Sequence, residues 1–175
     1  MNPIYDNNTL EFVTVTLEFC ASLERINEYD MFSFVNNTTK ILPLLYVKAT
    51  LLPEVDEPEN AEAAHFITEE VYDALRARIA GLLGEHDSYL ETFLPDMPYS
   101  DTPIVAYISE NIADIYQDIG DFIALFRQGY EETMLTALSQ CAENFRTYWG
   151  RSLLNALKAL HFIRYNEDIC LKREK

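Results

Sequence analysis

The chain is short of the residues from which most familiar catalytic devices are built. Its three cysteines, Cys20, Cys141 and Cys170, stand far apart and never in a Cys-x-x-Cys pair. That excludes a disulfide framework or a redox motif, and an odd, scattered count predicts reduced thiols and a cytoplasmic setting. Five glycines, none of them clustered, leave no phosphate-cradling loop, and neither a Gly-x-Ser-x-Gly elbow nor a zinc-ligand spacing occurs. Positive charge is scarce too. Thirteen basic residues against 29 acidic ones give a net charge of -16 at pH 7. Such a surface repels nucleic-acid phosphates and anionic headgroups, so neither a nucleic acid nor a membrane is expected as partner. The basic tail from Leu171 to Lys175 is too short to reverse that field. No apolar run reaches the ~18 residues of a membrane span, and MNPIYDNNTL lacks the basic-then-apolar order of a signal peptide.

What is present is apolar substance in helical phase. Hydrophobic residues make up 49% of the sequence, with 11 tyrosines and 10 phenylalanines, which sets it apart from a disordered acidic tract. Its 175 residues suit one domain with a sizeable core, positions 166–175 reading as a short tail. The clearest segment follows Thr102 and Pro103, a cap and a first-turn proline. There Ile104, Ile108, Ile112, Ile115, Ile119, Phe122 and Phe126 recur at steps of three and four, as one face of a helix requires. Glu110, Asp114, Asp118 and Asp121 form a carboxylate ladder that reads as lying roughly opposite, hence solvated.

The same reasoning predicts five main helices near 8–29, 32–52, 68–83, 103–128 and 131–165. The first carries two apolar stripes, Leu10, Val13, Leu17 and Cys20 on one side and Phe12, Phe19, Leu23 and Ile26 on the other. It is expected at the centre of the bundle. Pro43 predicts a kink near Thr39 or a split into two helices. The last segment keeps phase from Leu135 to Ile163, so it reads as one helix of some 34 residues in which Gly150 is a weak point of about 1 kcal/mol. With no strand-like alternation, the expectation is an all-α, single-domain bundle ending in a long helix.

Four segments, LPLLYVKATLLP, GEHDSYLETF, YSDTPIVAYISENIADIYQD and ENFRTYWGRSLLNALKALH, together resemble a bacterial family of about this length known as a domain of unknown function. The resemblance spans nearly the whole chain. It implies a helical fold and a bacterial cytoplasmic protein, and it implies no activity.

Candidate chemistry is confined to a few places. Ladder carboxylates four apart can share a divalent cation, although di-metal bundles add Glu-x-x-His motifs that this sequence lacks. Glu24, Lys48 and Arg78 sit on apolar stripes, where a charge must snorkel out, pair (Glu24 with Lys48 or Arg78) or line a pocket for a small anion. His86 and Asp87 form an HD pair like that of metal-dependent phosphohydrolases, with His65 upstream and Asp101 or Asp114 downstream as further ligands. Alternatively, Asp87 caps a short helical stretch from Ser88 to Phe93 and His86 is solvated. No complete catalytic constellation emerges and no cofactor or metal is expected. The leading reading is therefore a non-enzymatic acidic interaction or assembly module, with a basic protein partner or self-association. The alternative is a phosphohydrolase-like enzyme built on His86-Asp87.

Overall fold

The computed structural model describes residues 2–56, 64–91, 98 and 102–171. After a short 3-10 turn, α1 runs from Asn7 to Glu24. Its cap is Asp6, whose carboxylate accepts from the Asn8 amide at 2.9 Å. Phe12, Phe19 and Leu23 are buried, whereas Leu10 is exposed and Val13 and Leu17 are half-buried. α1 is thus a flanking helix with one core face, and the central position falls to α4.

α2 spans Met31–Thr50 without interruption through Pro43. The expected split is absent because Leu42, Leu45 and Ala49 are buried. Burying two leucines stabilises by about 3–6 kcal/mol, enough to offset the ~3 kcal/mol cost of an interior proline. The Thr39 hydroxyl donates to the Val35 carbonyl at 2.8 Å, and Arg164 Nη1 donates to the same hydroxyl at 2.8 Å. α3, Glu69–Leu83, starts where the sequence places it, capped by Thr68, and ends at Gly84 with φ 55°.

The largest departure from the sequence reading follows α3. Ser88–Glu91 forms β1 and Ile104–Tyr107 forms β2, antiparallel, with Ser88 opposite Tyr107 and Leu90 opposite Val105. The helix expected from Pro103 begins five residues later, at Ile108. Two β-branched residues and a tyrosine in Ile104–Tyr107 suit a pleated strand. The helix start is set in trans by Asp87. Its carboxylate accepts from the Ser109 amide at 2.7 Å and the Ser109 hydroxyl at 2.6 Å, and its carbonyl accepts from the Ile108 amide at 2.9 Å. Asp87 therefore caps α4 (Ile108–Phe126) and not a helix at Ser88. This pair of strands is the only sheet among the described residues.

α4 is the axis of the bundle, packing against α1, α3, α5 (Glu131–Asn144) and α6 (Gly150–Tyr165). Ile108, Ile112, Ile115, Ile119 and Phe122 are buried in one core with Phe12, Leu138, Trp149 and Leu160. Between α5 and α6 the backbone stays helical but opens into a π turn over Phe145–Trp149. The Trp149 indole N–H donates to the Cys141 carbonyl at 3.1 Å across that turn. A Cβ on Gly150 would lie 2.5 Å from the Phe145 carbonyl oxygen and 2.9 Å from the Phe145 ring, so this glycine permits the close approach and is no mere weak point. A short α7, Glu167–Leu171, closes the described chain. No helix of the described residues is long and apolar enough to cross a membrane.

Candidate functional site

The α4 ladder is not a solvated face. Glu110 is exposed, but the three aspartates each hold a neighbouring element. Asp121 is buried, and its carboxylate accepts from the Phe66 and Ile67 amides at 2.7 and 2.8 Å and meets His65 Nδ1 at 2.9 Å. Gly120 makes this crossing possible, since a Cβ there would stand 2.7 Å from Ile67 Cδ1. Asp118 accepts from Asn144 Nδ2 of α5 at 2.6 Å. Asp114 accepts from the Tyr72 hydroxyl of α3 at 2.8 Å. At 100° per residue, Asp118 stands about 80° from the centre of the isoleucine arc, Asp114 about 120° and Asp121 about 140°, so the ladder does lie mostly away from the arc. It is covered because α3, α5 and the 65–67 segment pack on that side of α4 too.

Electrostatics follow from this packing. Burial raises the Asp118 carboxyl to about 6, assisted by Asp121 and Asp114 and opposed by the Asn144 hydrogen bond. Burial, then the bond to Asp114, raises the Tyr72 phenol, and the same causes push Tyr148 up to about 12. The thiols are poor nucleophiles at neutral pH, because burial lifts Cys20 to about 12 and raises buried Cys141 as well.

The remaining sequence candidates are dispersed. Lys48 pairs with Glu11 and not with Glu24, keeping its stem half-buried and its head at the surface. Glu24 and Arg78 are both exposed, so the buried ion pair is not formed. Glu24 lines a shallow cleft of about 210 Å³ with Cys20, Tyr116 and Arg127. The HD pair is divided: Asp87 is committed to Ser109, His86 lies beside Glu85 at 3.7 Å, and His65 belongs to Asp121. Asp101 falls outside the described residues. Among the described residues, no group of three or more His, Cys, Asp or Glu side chains is placed to hold a metal ion.

A larger concavity lies elsewhere among the described residues, between β1 and the outer face of α6. It is a groove of about 670 Å³ lined by all four residues of β1, by α6 and by Ile169 of α7. Arg151, Leu154, Asn155, Lys158 and Phe162 share one side of α6 at steps of three and four. Asn155 Nδ2 donates to Glu91 Oε1 at 3.0 Å, and the Tyr89 hydroxyl accepts from Asn111. Burial raises the Tyr89 phenol. These bonds fix the inner side of the hairpin and leave Leu90, Leu154 and Phe162 exposed by 61, 47 and 64%. A groove of this size and lining suits the apolar part of a ligand, with Arg151 and Lys158 available to an anionic group. Of the residues that line it, sequence reading singled out only His86. The usable signal was phase: Leu154 and Phe162 are apolar residues one position away from Leu153 and Ile163, which continue the core stripe.

Comparison with known proteins agrees with the fold. None of the curated proteins matches the chain. Protein BF1032 from Bacteroides fragilis, known from a crystal structure, is 45% identical over 94% of this chain and 96% of its own, with a TM-score of 0.85. A family model described as a domain of unknown function, DUF5063, matches residues 3–166, and the chain belongs to that family.

Proposed function

We propose that this protein is a non-catalytic interaction module that receives a partner protein in the groove between β1 and α6. The observation that supports this is the exposure of Leu90, Leu154 and Phe162 around one groove of about 670 Å³, against about 210 Å³ for the cleft beside Glu24. Grouped apolar side chains of this kind mark docking surfaces more often than single exposed leucines do. The charge of -16 favours a partner that is basic overall and speeds its approach. Free thiols at Cys20 and Cys141 fit a cytoplasmic module. The phosphohydrolase alternative loses its support, because Asp87 is occupied by Ser109.

The test compares wild-type protein with a Leu154→Asp, Phe162→Asp double variant. Both are used as bait in extract of the native bacterium, and any captured protein is then purified and titrated calorimetrically. A protein that binds the wild type directly and the variant at least tenfold more weakly supports the reading. Equal binding to both, or no direct binder, overturns it.

A further inference from the structure

The groove runs along a strand edge, and that narrows what it can take. In the antiparallel ladder the bond from the Ile108 amide to the Asp87 carbonyl continues the register in which Ser88 faces Tyr107 and Tyr89 faces Ala106. Hydrogen-bonded and non-hydrogen-bonded pairs alternate. The Asp87 carbonyl and the amides and carbonyls of Tyr89 and Glu91 are therefore directed to β2 (the Asp87 amide donates to the Gly84 carbonyl), while the amides and carbonyls of Ser88 and Leu90 point away from it. Among the described residues no third strand lies beyond β1. All four β1 residues line the groove, those of both faces of the strand, as they do when a groove follows the edge.

Resting on the interaction reading above, we propose that the occupant is a single extended segment of the partner, added to β1 as a third strand. It would take the two amides and two carbonyls of Ser88 and Leu90, lay apolar side chains on Leu154 and Phe162, and present an acidic side chain to Arg151 and Lys158. Three observations favour this occupant. The α6 wall of the groove runs from Arg151 to Ile163, about 18 Å at 1.5 Å per residue, beside the ~13 Å of β1, a length that suits an extended segment of four to five residues at ~3.3 Å each. Arg151 and Lys158 are exposed and lie seven residues apart on the groove side of α6, in a chain with only 13 basic residues. Of the two carboxylates that line the groove, Glu91 already accepts from Asn155 and Glu85 lies 3.7 Å from His86. A second copy of this chain fits less well, since it brings its own charge of -16. Main-chain pairing supplies affinity in such strand addition and side-chain pockets supply selectivity.

A library of random dodecapeptides displayed on phage is panned against the native full-length protein, and the enriched sequences are synthesised. The expected peptides alternate apolar residues and contain at least one acidic residue. They should bind the Leu154→Asp, Phe162→Asp variant at least tenfold more weakly, and an Arg151→Glu, Lys158→Glu variant about tenfold more weakly. Hydrogen exchange of the Ser88 and Leu90 amides should slow in the complex, and N-methylating alternate peptide amides should abolish binding. Groove-dependent binders that leave those two amides unprotected, or that tolerate N-methylation, overturn strand addition while leaving the interaction reading intact. Enriched peptides that bind all variants equally, or the absence of any enriched peptide, overturn both. A dimer in light scattering that is lost in the groove variant assigns the edge to a second copy and overturns the proposal.

Discussion

Two regions of this molecule use their side chains in opposite ways. Along the flank of α4, charged groups that would ordinarily face water are turned inward as fasteners: Asp121 holds the approach to α3, Asp118 holds α5 and Asp114 holds a tyrosine of α3. Along the outer side of α6, apolar groups that would ordinarily be buried stand open beside an edge of β1 that no other strand of the described residues pairs. The difference separates structure from function. An acidic residue that already accepts from a neighbouring element is part of the scaffold, however much a row of them resembles a ligand site. An apolar side chain left with nothing against it is the better indication of a partner.

The sharpest way to break this comparison is Asp121→Ala. It leaves the Phe66 and Ile67 amides without an acceptor beneath a crossing segment, and a loss of about 3 kcal/mol is expected in urea unfolding. A loss below about 1 kcal/mol would show the flank to be ordinary surface. Asp87→Ala comes next, at about 2–3 kcal/mol, since the buried carboxylate accepts two bonds from Ser109. Faster hydrogen exchange confined to the hairpin and the first turn of α4 should accompany it.

Asp118→Asn sharpens the comparison in the other direction. The carboxyl titrates near 6 in the folded protein against an ordinary 3.8, so folding favours its neutral form. That contribution is complete below about pH 4 and is lost as pH rises through 6. Asparagine imitates the neutral acid at every pH. The variant should match the wild type at pH 4 and be more stable by about 1–2 kcal/mol at pH 7 to 8, after allowance for partial exposure. The smallest effect belongs to the groove: Leu154→Ser or Phe162→Ser should each change the unfolding midpoint by an amount worth less than about 0.5 kcal/mol, because neither side chain is packed. A loss above 2 kcal/mol at either would mean that the groove is core.

The isoleucine arc of α4, the span of α3 and the buried stripe of α6 were legible because a period of 3.6 is written directly into the sequence. The hairpin was not. Ile104 lies in phase with Ile108 and Ile112, so a strand leading into a helix imitates an additional helical turn. The residue that decides where α4 begins, Asp87, lies 21 positions before Ile108, beyond the reach of local reading. The ladder was visible but misread as solvated, because a central helix has neighbours on nearly every side and even a side about 140° from its apolar arc, where Asp121 stands, is covered. Leu154 and Phe162 were legible only as exceptions to a stripe, and exceptions acquire meaning once the wall opposite them is known.

The π turn at Phe145–Trp149 bears on the facing of the groove wall. Two successive steps of four, Phe145 to Trp149 to Leu153, would overshoot by about 80° on a regular helix, and the wider turn absorbs that excess. In genetic terms, the turn carries one codon more than a regular helix needs. Its five residues sweep about the same angle as four of an ordinary helix, so removing one codon from 145–149 would rewind the segment and leave α6 facing as before. Removing the codon of Ser152, in the regular part of α6, would instead turn Leu154, Lys158 and Phe162 by about 100° and take them out of the groove wall. A point substitution tests one member of that wall, whereas a one-codon deletion beyond the turn displaces most of it.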